Sequence, residues 1–141
     1  MLYQLLWMAF SDSLNGEPHP THAFHVFGVY PWLGKLRDGM VEPSLRILDR
    51  CRVRWGVVEA VDGVQAQVHS APLGLVGDRL ALDDPITETV NLYAGLGVSA
   101  GDTLALHWDW ACAILDDQRL ASLQADTRRA LAAIGPIDPA R

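Results

Sequence analysis

The spacing of apolar positions changes character along this 141-residue chain. Leu2, Leu5, Leu6, Ala9 and Phe10 recur at three- and four-residue intervals and Asn15-Gly16 ends the run, which predicts an amphipathic helix over residues 2–14. Glu17-Pro18-His19-Pro20 is a breaker, and residues 21–32 read either as a short helix capped by Thr21 or as an extended run. Residues 33–39 look like one helical turn ending at a glycine. From residue 51 the pattern shortens into β-type segments. Residues 53–61 are rich in valine, Asp62-Gly63 is a hairpin signal, and residues 64–69 alternate apolar and polar as a half-buried strand does. Leu80-Ala81-Leu82 sits between turn signals, residues 86–92 predict a further strand, 95–101 a loop, and 103–107 the last strand. Asp116 then caps a helix whose stripe is Leu120, Leu123, Thr127, Leu131 and Ile134, and Gly135-Pro136 stops it.

Short strands this closely spaced predict an α+β protein: a small antiparallel OB-like β-barrel with an N-terminal helical segment and a C-terminal helix. Residues 1–50 form the helical and aromatic segment, and residues 51–141 the barrel with its helix. Half the residues are hydrophobic and a fifth charged, enough for a core without covalent staples. The net charge of −6 and the scattering of Lys and Arg argue against a nucleic-acid partner. Two cysteines, Cys51 and Cys112, are too few for a disulfide framework. The apolar start is short and lacks a preceding basic residue, and no long apolar run follows. These features predict a cytoplasmic protein with free thiols and no membrane span.

Two residues far apart carry the candidate chemistry. Cys51 opens the first β-type run and His107 closes the last, so one end of a barrel would bring a thiol and an imidazole together. Such a pair suits a soft or borderline transition metal, and two ligands make the site open and transient. Asp109 could orient the imidazole from behind. Arg50, Arg52 and Arg54 would favour a thiolate, although strand alternation would turn them away from Cys51. The competing reading makes Cys51 a small buried hydrophobe and His107 a satisfied core histidine. Cys112, just past the strand, reads as core. His22 and His25 share helical spacing, but Phe24, Phe27, Tyr30 and Trp32 around them favour an aromatic partner interface. No phosphate loop, dinucleotide fingerprint or nucleophile elbow occurs. A Cys51–His107–Asp109 triad can be written, but no oxyanion hole accompanies it.

The order of these features resembles the HypC-type chaperones of nickel–iron hydrogenase maturation over roughly residues 51–133. It runs from a cysteine through a valine-rich strand and an Asp-Gly hairpin to a strand ending in histidine and an Asp-led helix. The best local stretch runs from Val98 to His107, followed by Ala111 and Leu115-Asp116. The resemblance implies an OB-like barrel with a C-terminal helix and no enzymatic activity. It further implies transient handling, by Cys51 and His107, of an iron fragment bearing cyanide and carbonyl ligands. The implied partner is a hydrogenase large subunit or another maturation factor. Three departures accompany it: Cys51 is internal, Trp55 stands where the family has proline, and Trp108-Asp109-Trp110 follows the histidine. The whole chain is also similar to an actinobacterial family with motifs like His22 to Phe27 and His107 to Trp110. The alternatives are a structural or oligomerisation module built on the same barrel and, third, a cysteine-dependent enzyme.

Overall fold

Alternation along the strands decides which side chains meet inside. Val58, Ala66, Val68, Val90, Leu104 and Leu106 come from four strands and share one buried cluster. The computed structural model describes residues 39–137. Helix α1 (Val41–Cys51) leads into β1 (Arg54–Asp62), β2 (Gln65–Ser70), β3 (Leu73–Val76), β4 (Arg79–Leu82), β5 (Ile86–Asn91), β6 (Thr103–His107) and β7 (Trp110–Leu115); α2 (Asp117–Ile134) follows. The predicted helix over 2–14 and the aromatic interface at Phe24, Phe27, Tyr30 and Trp32 lie outside the described residues, as do His22 and His25.

Five strands close a barrel in the order β1-β2-β5-β7-β6, and β6 returns to pair with β1. All pairings are antiparallel except the short contact of β5 with β7 at Asn91 and Trp110. This is the strand order of a five-stranded OB-like barrel, here closed, with the β3–β4 hairpin inserted between its second and third strands. The barrel is narrow at Gly56, where a Cβ would lie 3.1 Å from both the His69 carbonyl oxygen and Leu106 Cδ1.

Two further clusters attach the helices. Leu48 of α1 packs with Leu73, Leu80 and Ile137, so the inserted hairpin is clamped between α1 and the chain after α2. Leu123 of α2 packs with Val53, Ala105 and Leu115 on the outside of the barrel. Full burial of a leucine such as Leu48 stabilises by about 1.5–3 kcal/mol. The expected Asp116 cap is present, its carboxylate accepting from the Arg119 N–H at 2.8 Å, and Gly135 ends α2 with φ 72°. No helix among the described residues is long and apolar enough to cross a membrane.

Three expectations need correction. Cys51 does not open a strand: it is the last residue of α1, and β1 begins at Arg54. Thr103–His107 is not the last strand, and no helix follows it at once. The chain turns at Trp108-Asp109 and returns as β7, so Cys112 lies within a strand rather than beyond one. Leu73–Val76 is a strand that the sequence pattern does not announce.

Candidate functional site

Among the described residues, three two-residue hairpin turns join neighbouring strands: Gly63-Val64, Gly77-Asp78 and Trp108-Asp109. Turns this tight need a positive φ, normally supplied by glycine, to match the strand twist. Gly63 (φ 60°) and Gly77 (φ 63°) provide it in the first two. In the third the same position is Trp108 (φ 53°), the one non-glycine residue with positive φ among those described. A left-handed conformation at such a side chain costs on the order of 1–3 kcal/mol and persists only where its surroundings hold it.

The holding groups are one backbone carbonyl and one guanidinium. Trp108 N–H donates to the Arg50 carbonyl at 3.1 Å, and the Trp108 carbonyl accepts from Arg54 Nη2 at 2.6 Å. Arg54 is 1% exposed, and its inward position in β1 is shared by Gly56 and Val58. Its charge is met inside the barrel by Glu88, at 2.5 Å (Nη2–Oε1) and 3.3 Å (Nε–Oε2). Ser70 also donates to Glu88, and Arg50 reaches the same carboxylate at 3.1 Å. Desolvation works to raise the Glu88 pKa. The hydrogen bonds from Arg54 and Ser70 and the charges of Arg54 and Arg50 outweigh it, so the carboxyl sits below its ordinary value. Arg52 makes a second knot: it donates to Asp49 at 2.9 and 3.0 Å and to the Ala71 carbonyl at 2.9 Å. Asp49 in turn accepts from Leu73 N–H. Burial pushes the Arg52 guanidinium down, with Asp49 acting against that effect.

This frame presents an aromatic surface. Trp108 is 42% exposed, Trp110 37% and Tyr93 41%. The Tyr93 and Trp110 rings stack with centroids 4.7 Å apart and planes 25° apart. Asp109, exposed between the two tryptophans, has its carboxylate 3.5 Å from Arg50.

The Trp108–Arg50 hydrogen bond joins the end of β6 to the end of α1, so the backbones of His107 and Cys51 each stand one residue from it. Their side chains occupy different settings. The half-buried Cys51 packs against the Leu48, Leu73, Leu80 and Ile137 cluster, and burial pushes its thiol pKa up. That shift favours the thiol over the thiolate that ligates or attacks. His107 is buried, and its ring meets Trp108 edge-on at 6.4 Å. Asp109 does not extend the strand; it occupies the turn, with Arg50 beside it. Among the described residues, no group of three or more His, Cys, Asp or Glu side chains comes together as a metal site. Sequence reasoning missed Glu88, Arg54 and the turn at Trp108. Strand parity was the available signal for the ion pair, because Arg54 is in step with the inward Val58.

Fold and surface together define an OB-like barrel flanked by α1 and α2, with an aromatic turn braced by the buried Arg54 guanidinium and the Arg50 carbonyl. The chain belongs to the domain family of unknown function DUF6390, whose model matches residues 2–137. No curated protein and no solved structure matches it.

Proposed function

We propose that this chain is a non-enzymatic docking or assembly module whose contact surface is the β6–β7 turn. The observation that carries this reading is Trp108, exposed and left-handed at a position where the other two tight hairpins among the described residues have glycine. Backbone strain concentrates at functional positions, and Trp and Tyr dominate the energetics of protein contacts. The partner class suggested by the hydrogenase-chaperone resemblance is a hydrogenase large subunit or maturation factor.

A second reading, transient holding of an iron fragment by Cys51 and His107, draws support from the strand order and from the helix that follows the histidine-bearing hairpin. In that reading the fragment is cargo, and the chain contributes a thiol and an imidazole.

Anaerobic affinity purification of the full chain from its native cell separates the two. Docking predicts a partner that survives Cys51→Ser and His107→Gln and is lost with Trp108→Gly. Iron with cyanide and carbonyl infrared bands that vanish in Cys51→Ala would replace docking with the carrier reading.

A further inference from the structure

The outer face of β2 and β5 carries a ladder of neutral hydrogen-bonding groups. Alternation turns Ala66, Val68 and Val90 into the core, so the residues between them face outward. Gln65 stands opposite Asn91, and Gln67 opposite Thr89. Each pair is bonded across the strands: Gln65 Nε2 donates to Asn91 Oδ1 at 3.2 Å, and Gln67 Nε2 to Thr89 Oγ1 at 2.8 Å. The two rows lie about 7 Å apart along the strands. Each bond uses one amide donor. The glutamine carbonyl oxygens, the Asn91 amide hydrogens and the Thr89 hydroxyl hydrogen remain for a ligand. At one end of the ladder Asn91 pairs with Trp110, whose exposed ring stacks on that of Tyr93. At the other end His69 is paired with Glu59 at 3.2 Å. Neither β2 nor β5 contains a lysine or arginine.

We propose that this face binds a neutral oligosaccharide, with Trp110 as its stacking platform and the Gln65–Asn91 and Gln67–Thr89 rows as its polar contacts. The inference goes beyond the docking reading, which uses the turn at Trp108. Sugar hydroxyls both donate and accept, and carboxamides and a threonine hydroxyl offer both functions at neutral charge. The C–H face of a sugar ring is apolar and slightly positive, which suits the negative face of an indole. Other ligands fit less well. A nucleic acid or phosphorylated ligand needs cations, and these strands present none in a chain of net charge −6. A peptide added as a strand needs an open backbone edge, whereas this is a face made of side chains. In OB-like barrels the face of the second and third strands, between the turns corresponding to Gly63-Val64 and Trp108-Asp109, takes extended polymers. The site is open to water, so affinity is weak, with a Kd of about 0.1 to 1 mM.

Titration of the isotope-labelled full chain with maltohexaose, cellohexaose and chitohexaose, followed by amide chemical shifts, reads this directly. The expected result is saturable shifts confined to β2, β5 and the start of β7 with at least one of the three. Trp110→Ala should weaken that binding at least about tenfold, and Gln67→Leu, which keeps the side chain's bulk, about three- to tenfold. Val76→Ser, on the separate β3–β4 hairpin, should leave it unchanged. No shift with any of the three at about 10 mM overturns the inference, and so does binding indifferent to both variants. Tighter binding of a single-stranded oligothymidylate on the same face overturns it as well. Sugar binding without a Trp108-dependent partner would leave this inference standing and the docking reading fallen, and the converse result would do the reverse.

Discussion

Glu88 and Arg54 form a two-point ion pair inside the barrel, and Arg54 carries the pair's influence out to the turn by donating to the Trp108 carbonyl. A charge on β5 thereby sets the position of an exposed ring on the hairpin formed by β6 and the neighbouring β7. Glu88→Gln removes the counter-charge and leaves a buried guanidinium. Breaking such a pair from one side costs about 3–5 kcal/mol, a large part of the stability of an ordinary domain. Urea unfolding should show that loss. Asp126→Asn, which breaks the Arg129 pair on the outside of α2, should change stability by less than about 1 kcal/mol.

The same carboxylate makes stability depend on pH. Its folded pKa is depressed, so the unfolded chain takes up the proton first. The contribution is complete well above the unfolded value near ~4.3 and is lost as pH falls through the folded value. Unfolding free energies at pH 7 and about pH 3 should therefore converge for wild type and Glu88→Gln at the acid end. A difference of equal size at both pH values would contradict this.

Cys51 is predicted to be a slow thiol. Desolvation raises its pKa, so iodoacetamide should modify it more slowly at neutral pH than an unstructured cysteine peptide. The rate should keep rising with pH beyond the point, near ~8.5, where the peptide levels off. Faster labelling than the peptide at pH 7 would mark an activated thiolate and favour the carrier or enzyme readings.

Gly56 and Gly63 should fail for different reasons when changed to alanine. At Gly56 the new methyl meets backbone and core side chains at 3.1–3.3 Å, an overpacking cost of about 1–3 kcal/mol. At Gly63 nothing lies within 4 Å, and only the left-handed conformation opposes the change, by about 1–2 kcal/mol. Thermal unfolding of the two variants, with a Gly63→Asn control that tolerates positive φ, separates crowding from strain.

Much of the barrel is legible in the sequence because its signals are local. Asp62-Gly63 marks the first hairpin, the alternation through residues 64–69 marks β2, and Asp116 and Gly135 mark the ends of α2. What escapes has non-local causes. The β6–β7 hairpin has no glycine, so the run from Thr103 to Leu115 shows no break, and its return strand Trp-Ala-Cys-Ala-Ile-Leu does not alternate. The bulge between Ala105 and Leu106 further blurs the parity of that pair. Cys51 adjoins a valine-rich strand in sequence, but Leu48, one turn earlier in α1, anchors it to a different cluster. In the sequence, arginines at 50, 52 and 54 read as cations flanking the Cys51 thiol. Parity turns Arg54 inward with Val58, but the pairing of β1, β2 and β5 is what brings it to Glu88, which also accepts from Ser70.

The most direct test of docking through the β6–β7 turn is hydrogen exchange of the chain in its native assembly, compared with the isolated chain at low concentration. Peptides covering His107 to Cys112 and Tyr93 should exchange more slowly in the assembly, while those covering Gly63-Val64 should be unchanged. Equal exchange at the turn in both samples, with protection confined to the segment around Cys51, would contradict the account.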